Sequence, residues 1–281
     1  MTKKLSIITI TYNNAEGLKQ TMESVAAQTW GDFEHIVVDG NSTDNSVAII
    51  KSFDYKNLIW VSESDSGIYN AMNKGINRAS GKYVLFLNSG DYLENEKVLT
   101  NVLKYLSDNF SVLSGHMIFN EDSGKRLREH PNKMTFSYLV GNAISHPSTF
   151  IKRELFVKYG FYDEEFKVVS DWAFFLKVLG IHNESYLKIP LIISVFDTKG
   201  VSSNIDNLDK VYKEREKVLA SYFPRVFNNE NDTYIFNKFI ETNKRFRYLQ
   251  IIDNYPFFRK IATLKLGAMA WLIKLFYKKA K

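Results

Sequence analysis

Asp39, Asp65 and Asp91 each stand at the end of a short, β-prone apolar run or in the loop just past it, and Thr11-Tyr12-Asn13 closes a fourth such run. Carboxylates, a hydroxyl, an aromatic ring and an amide are groups that grip a nucleotide. A carboxylate accepts the ring N–H of uracil or guanine, a tyrosine stacks on the base, and backbone N–H groups at helix starts hold phosphate. Carboxylate oxygens also bind divalent cations. Asp91, at the end of the turn Asn88-Ser89-Gly90-Asp91, is the candidate for that task. The competing reading of Asp91 is a turn residue or a cap for the helix near Glu94. One aspartate after a strand is unremarkable, because Asp favours turns and caps; several on one rim are harder to dismiss.

The elements that must place these residues alternate. Residues 5–11, 33–39, 58–62 and 83–87 read as strands, being short, β-branched or aromatic, and bounded by turn residues. Between them, Leu18, Met22, Val25 and Ala26 share one helical face behind a cap at Asn13 or Asn14. Ser42 or Thr43 is the expected cap of a helix carrying Val47, Ile50 and Phe53. Ile68, Met72 and Ile76 fall in register on a helix over 68–79, which Gly81 closes off, and Val98, Val102 and Leu106 mark another. This order predicts an α/β fold with a doubly wound, mostly parallel sheet and right-handed crossovers. On such a sheet ligands bind outside the carboxyl ends of the strands, the edge to which all these aspartates point.

The next part is less regular. It reads as a strand over 111–119, a hairpin or loop over 120–129, a strand over 148–152 after His146-Pro147, and a helix over 153–159. A helix over 171–179 turns Trp172, Phe175, Leu176 and Leu179 inward, and strands within 186–196 are broken at Pro190. The texture changes near residue 204. A charged amphipathic helix over 208–223 and a polar break at 228–232 lead to a tail over 260–281, in which Trp271 and Phe276 lie among Lys260, Lys265, Lys274, Lys278, Lys279 and Lys281. Such a tail suits a helix lying in an anionic membrane interface, each lysine contributing about 1 kcal/mol. The competing reading is a helix packed on the domain with its lysines in water.

With 281 residues, 45% of them hydrophobic, the chain can form one large domain and an appendage. The absence of cysteine excludes disulfides and thiolate metal sites and fits a reducing compartment. The apolar run at 5–10 is too short for a signal-peptide core, and no stretch of about 20 apolar residues predicts a membrane span. A net charge of +6 suits anionic partners. Because lysines gather at the chain end beside aromatics, lipid is expected rather than nucleic acid. Neither GxGxxG nor GxxxxGK[ST] occurs in the first half, which disfavours dinucleotide and P-loop chemistry.

Four stretches, in order, resemble family-2 glycosyltransferases of the GT-A fold. They are Thr9 to Asn13; Val37-Val38-Asp39-Gly40-Asn41-Ser42-Thr43-Asp44; Ser64-Asp65-Ser66-Gly67-Ile68-Tyr69-Asn70-Ala71-Met72-Asn73-Lys74-Gly75; and Ala79 through Asp91. The resemblance covers about residues 3–200 and is closest to bacterial enzymes of surface-polysaccharide assembly. It implies a Rossmann-like GT-A domain over 1–204, with a nucleotide-sugar half (1–92) and an acceptor half (93–204), and a helical C-terminal extension over 205–281. The implied reaction is an inverting transfer of a sugar from a nucleoside-diphosphate donor to an acceptor hydroxyl, here of a lipid-linked glycan. The implied place is cytoplasmic, peripheral on the inner face of the plasma membrane. UDP is expected from family frequency, since Asp39 is compatible with uracil, thymine or guanine.

By the same resemblance Thr11, Tyr12 and Asn13 line the base pocket, Asp39 receives the base N–H, and Asp65 helps hold the nucleoside. Lys74, Ser89 and Gly90 fall on the donor side. Asp91 matches the last carboxylate of the family's acidic cluster for Mg2+ or Mn2+. The chain departs from that cluster at Asn88 and Gly90, where acids are common. Val168-Val169-Ser170-Asp171-Trp172 resembles the motif that carries the general base, Asp171; simple helix capping is the competing reading. His146, in a stretch where glutamine often follows the histidine but Pro147 stands here, is an acceptor-side or phosphate contact or a structural loop residue. Gly200 and Ser202 resemble a loop closing over the diphosphate, against a plain connecting loop. Two other functions remain open. A nucleotidyltransferase would need a glycine-rich basic loop where Thr11-Tyr12-Asn13-Asn14 stands. A non-catalytic nucleotide-sugar-binding or scaffolding protein would fit a degraded metal site.

Overall fold

A computed structural model describes residues 3–107, 109–121, 124–197, 208–225, 252 and 255–278. In chain order these form β1 (Leu5–Thr11), α1 (Ala15–Ala26), β2 (Phe33–Asp39), α2 (Ser46–Ser52), β3 (Leu58–Ser62), α3 (Ile68–Arg78), β4 (Tyr83–Phe86), β5 (Tyr92–Leu93), α4 (Val98–Val102), β6 (Val112–Glu121) and β7 (Gly124–Arg128). There follow α5 (Phe136–Gly141), β8 (Thr149–Lys152), α6 (Glu154–Tyr159), α7 (Ser170–Phe175), β9 (Tyr186–Asp197), α8 (Leu208–Tyr222) and, as the last helix, α9 (Pro256–Lys278).

The strands join in the order β3-β2-β1-β4-β8-β6-β9-β5, with β7 added on β6. The first four run parallel. β8 runs against both β4 and β6, β9 runs with β6, and β5 runs against β9. Every residue of β1 and β2 is buried, as expected of parallel strands covered on both faces. Leu18, Met22 and Val25 of α1 supply one cover. On the other side α3 comes so close that a β-carbon on Gly75 would fall 2.4 Å from Ile8 Cγ2, so this contact requires glycine. The mostly parallel α/β sheet, covered by helices on both faces over β1 and β2, is the one that the sequence predicts.

Three local expectations are corrected. Ser42 and Thr43 do not cap α2. Ser42 N–H is taken by Asp39 and Thr43 N–H by Asn13, while Asp44 Oδ1 accepts Ser46 N–H at 2.9 Å. Pro190 does not break the strand: β9 runs through it, at an irregularity where Ser114 faces Lys188 but His116 faces Ile192. A bulge is where a strand tolerates a missing N–H. The helix from Ser170 leaves α geometry at Leu176 and finishes as a π turn to Ile181.

The chain divides into two compact units, Met1–Val218 and Leu219–Lys281. The first runs past residue 204 because α8 docks on it. Glu214 Oε2 accepts Lys167 N–H at 3.1 Å and Val168 N–H at 2.9 Å, and the Arg215 guanidinium lies 4.7 Å from the Trp172 ring centre. In the second unit α9 exposes Phe257, Phe258, Leu264, Leu266 and Met269 along with Lys260 and Lys265. Among the described residues, no helix is long and apolar enough to cross a membrane.

Candidate active site

The parallel strands bring their carboxyl ends to one rim, and a cleft of about 790 Å³ opens above it. Of the residues expected to bind donor, Thr11, Tyr12, Asp65, Ser89 and Gly90 line this cleft, together with Asp91, His146 and Asp171. Asp39, Asn13 and Lys74 do not line it. Gly200 and Ser202 lie outside the described residues.

Asp39 ends β2, fully buried beneath the rim. Its Oδ2 accepts Ser62 Oγ–H at 2.6 Å and Ser42 N–H at 3.1 Å, whereas Oδ1 has no partner. Thr11 Oγ1 beside it is likewise buried and unpartnered. Buried acceptors are normally satisfied, so each of these two oxygens has hydrogen-bonding capacity that the described residues do not fill. Tyr12, 65% exposed, offers its ring at the mouth. Asp65 Oδ1 accepts Gly67 N–H at 2.9 Å, which shapes the loop into α3. Asn13 adopts a left-handed backbone (φ 49°) and staples two loops, donating its N–H to Ser42 Oγ and accepting Thr43 N–H at Oδ1, both at 2.8 Å. Lys74 reaches the Ser64 carbonyl at 2.6 Å and Glu63 at 3.2 Å, bracing the loop that carries Asp65.

The turn Asn88-Ser89-Gly90-Asp91 is held from α1. Asn14 Nδ2 donates to the Ser89 carbonyl at 3.1 Å, and Thr21 Oγ–H donates to the Asp91 carbonyl at 2.7 Å while accepting Gly90 N–H at 3.0 Å. Gly90 takes φ 102°, a conformation that L side chains rarely adopt. Sequence reasoning gave Asn14 only a capping role and Thr21 none; a polar residue on the buried face of α1 was the available signal for Thr21. Among the described residues no group of three or more His, Asp or Glu side chains could hold a metal. The donor set therefore fits a cation shared between Asp91 and the oxygens of a bound diphosphate, not a preformed centre.

Asp171 sits in the first turn of α7, its side chain 16% exposed. Tyr69 O–H donates to Oδ1 at 3.0 Å, and His146 Nδ1 lies 3.3 Å from Oδ2. Burial would raise its pKa, but His146, Tyr69 and the Trp172 N–H outweigh burial and hold it below the ordinary value. The group is thus an ionised carboxylate at neutral pH, facing the cleft. The segment leading to it is pinned to α3: Asn73 Nδ2 donates to the Tyr162 carbonyl and Glu164 Oε1, each at 2.9 Å, and Asn70 Nδ2 to Glu164 Oε2 at 2.9 Å. Tyr69, Asn70 and Asn73 belong to the third sequence stretch, but their tasks lie across the fold, 89 to 102 residues away, where no local pattern reveals them.

A cleft above the carboxyl ends of a mostly parallel α/β sheet, lined by an ionised carboxylate, has the form of a group-transfer site. The sequence model described as Glycosyl transferase family 2 matches residues 6–170, and the chain belongs to that family. An uncharacterized glycosyltransferase of Mycobacterium tuberculosis is 35% identical over 205 residues, covering 71% of this chain and 77% of the relative. A PGL/p-HBAD biosynthesis glycosyltransferase of Mycobacterium bovis is 33% identical over 174 residues, 60% and 67% of the two chains. Two solved structures share the fold. One is S. aureus TarS in complex with UDP-GlcNAc, with a TM-score of 0.61 at 21% identity over 80% of this chain and 72% of that one. The other is a mannosyltransferase from Pyrobaculum calidifontis in complex with GDP-Man and Mn2+, with a TM-score of 0.65 at 16% identity over 99% and 83%.

Proposed function

We propose that this chain is an inverting glycosyltransferase that moves a sugar from a nucleoside-diphosphate donor, UDP-linked by preference, to the hydroxyl of a lipid-linked glycan. The observation that carries the reading is the shared cleft, which Asp65, Asp91 and Asp171 all line. The unpartnered Asp39 Oδ1 and Thr11 Oγ1, below the mouth where Tyr12 lies, support a base pocket. In the reaction the acceptor oxygen bonds to the anomeric carbon from the face opposite the nucleotide. The bond from that carbon to the diphosphate breaks, its electron pair leaving with the nucleoside diphosphate. The acceptor's proton passes to Asp171. Mg2+ or Mn2+ bound at Asp91 would offset the charge of the leaving diphosphate. Exposed apolar residues beside lysines on α9 support a peripheral place on the inner face of the plasma membrane.

The test is release of nucleoside diphosphate from a panel of UDP- and GDP-sugars, with NMR of the anomeric configuration of the product. Asp171→Asn is expected to cut turnover by about a hundredfold or more while donor binding survives. Full turnover by Asp171→Asn would rule the assignment out, and a retained anomeric configuration would rule out inversion.

A further inference from the structure

Asp171 does not stand alone: it ends a chain of hydrogen bonds that begins in the donor-side turn. Asn88 Nδ2 lies 3.2 Å from His146 Nε2, and His146 Nδ1 lies 3.3 Å from Asp171 Oδ2. With the Asn88 amide turned so that Nδ2 faces the ring, Nε2 accepts, and Nδ1 carries the proton that is donated to the carboxylate. Tyr69 O–H occupies the other oxygen at 3.0 Å. His146 opens a 3₁₀ turn followed by Pro147, and its side chain is 17% exposed, so the ring is held rather than free in solvent.

We propose that His146 is the positioning residue of the base, aiming Asp171 through Nδ1 and tying it to the Asn88–Asp91 turn through Nε2. The inference rests on the reading of Asp171 as base. It gives Asn88 a task at the turn that carries Asp91. An amide at that position donates to Nε2, whereas a carboxylate would demand a second proton on the ring. Among the described residues, Tyr69, Tyr162 and Arg215 also interact electrostatically with Asp171; both phenols are pushed well up by burial, and Arg215 adds a positive charge.

The test uses the full chain and has two readouts. The first is free of activity: ring 15N NMR at pH 7, with the His146 signals assigned by their loss in His146→Asn. The expected signals are those of a neutral ring protonated at Nδ1; an imidazolium, or a ring protonated at Nε2, would overturn the proposal. The second is release of UDP from UDP-GlcNAc, UDP-glucose and UDP-galactose, with water as acceptor, from pH 5 to 9. His146→Ala is expected to lower kcat about tenfold, a part of what a positioned base supplies, with donor KM unchanged and the acidic limb moved to higher pH. His146→Asn keeps a donor at the Nδ1 position and is expected to restore most of kcat; His146→Gln keeps only the Nε2 position and is not. A raised KM with kcat unchanged would make His146 a donor contact and overturn the proposal. Full turnover by Asp171→Asn would instead remove the base reading itself. Loss in Asp171→Asn with kcat and pH profile unchanged in His146→Ala would sink the proposal alone.

Discussion

The carboxylate of Asp65 lies so close to Gly40 that a β-carbon there would sit 2.5 Å from Asp65 Oδ2 and 3.3 Å from Tyr12 Cδ2. The Asp65 carboxylate and the Tyr12 ring therefore take their present positions in the space that a side chain at residue 40 would occupy. Gly40→Ala is expected to push Asp65 or Tyr12 outward and weaken UDP binding about tenfold, the equivalent of about 1.4 kcal/mol. Isothermal titration decides it. An unchanged Kd would mean that neither side chain grips the nucleotide.

The single carboxylate at the 88–91 turn makes a second prediction, about order of binding. Thermal unfolding should be unmoved by Mn2+ alone, since the described residues hold no preformed cluster. It should rise with UDP, and rise further with UDP and Mn2+ together, as linkage requires of ligands that share a site. Asp91→Ala should remove the extra increment. A shift with Mn2+ alone, or an increment that survives Asp91→Ala, would contradict the shared cation.

Glu214 provides a third. Its carboxylate takes the backbone N–H groups of Lys167 and Val168, just ahead of Asp171, the proposed base. Glu214→Ala removes the partner of two part-buried donors, which water can partly replace, so the cost is expected at the low end of about 1–3 kcal/mol in total. The melting temperature should fall by roughly 2–4 °C per kcal/mol lost, and kcat should fall more than donor KM changes. An equal fall in Glu214→Gln, which keeps one acceptor oxygen, would point to charge rather than hydrogen bonding.

Stability should also weaken as pH drops below neutrality. His35 is buried between Thr9 and Tyr55, and burial lowers its pKa from 6.5 to about 3. His130 is lowered to about 4, by burial first and then by Arg128, His116 and Lys188. The unfolded chain thus binds protons that the folded one refuses. The stabilisation is full above pH 6.5 and is lost as pH falls toward 3. Depressed carboxylates such as Glu34 and Glu184 act only below their ordinary 4.5. Melting curves between pH 7.5 and 5 therefore report the histidines, and His35→Gln should show a shallower slope than the parent chain.

The strand ends were legible because each combines a short β-prone run with punctuation by Asn, Asp and Gly, and because parallel order sends all four to one edge. The bonds that make the rim a site were not. Ser42 and Thr43 look like caps because hydroxyls before a helix usually are, yet Asn13 engages both hydroxyls, donating its N–H to Ser42 Oγ and accepting from Thr43 Oγ1. Pro190 reads as a strand breaker, because the bulge opposite Gly115 is set by β6, 75 residues earlier in sequence. Lys74 belongs to a stretch that resembles donor-site residues, but Glu63 and the Ser64 carbonyl, one helix turn and a loop away, hold its charge. Glu214 gave no signal at all, being one acid in a helix full of them.

The rim from Thr11 to Asp91 lies in one early stretch of chain, whereas the Lys167 and Val168 N–H groups are met by Glu214, 47 residues beyond Lys167. A chain that stops before α8 keeps the bonds between α1 and the Asn88–Asp91 turn but loses this fastening of the segment ahead of Asp171.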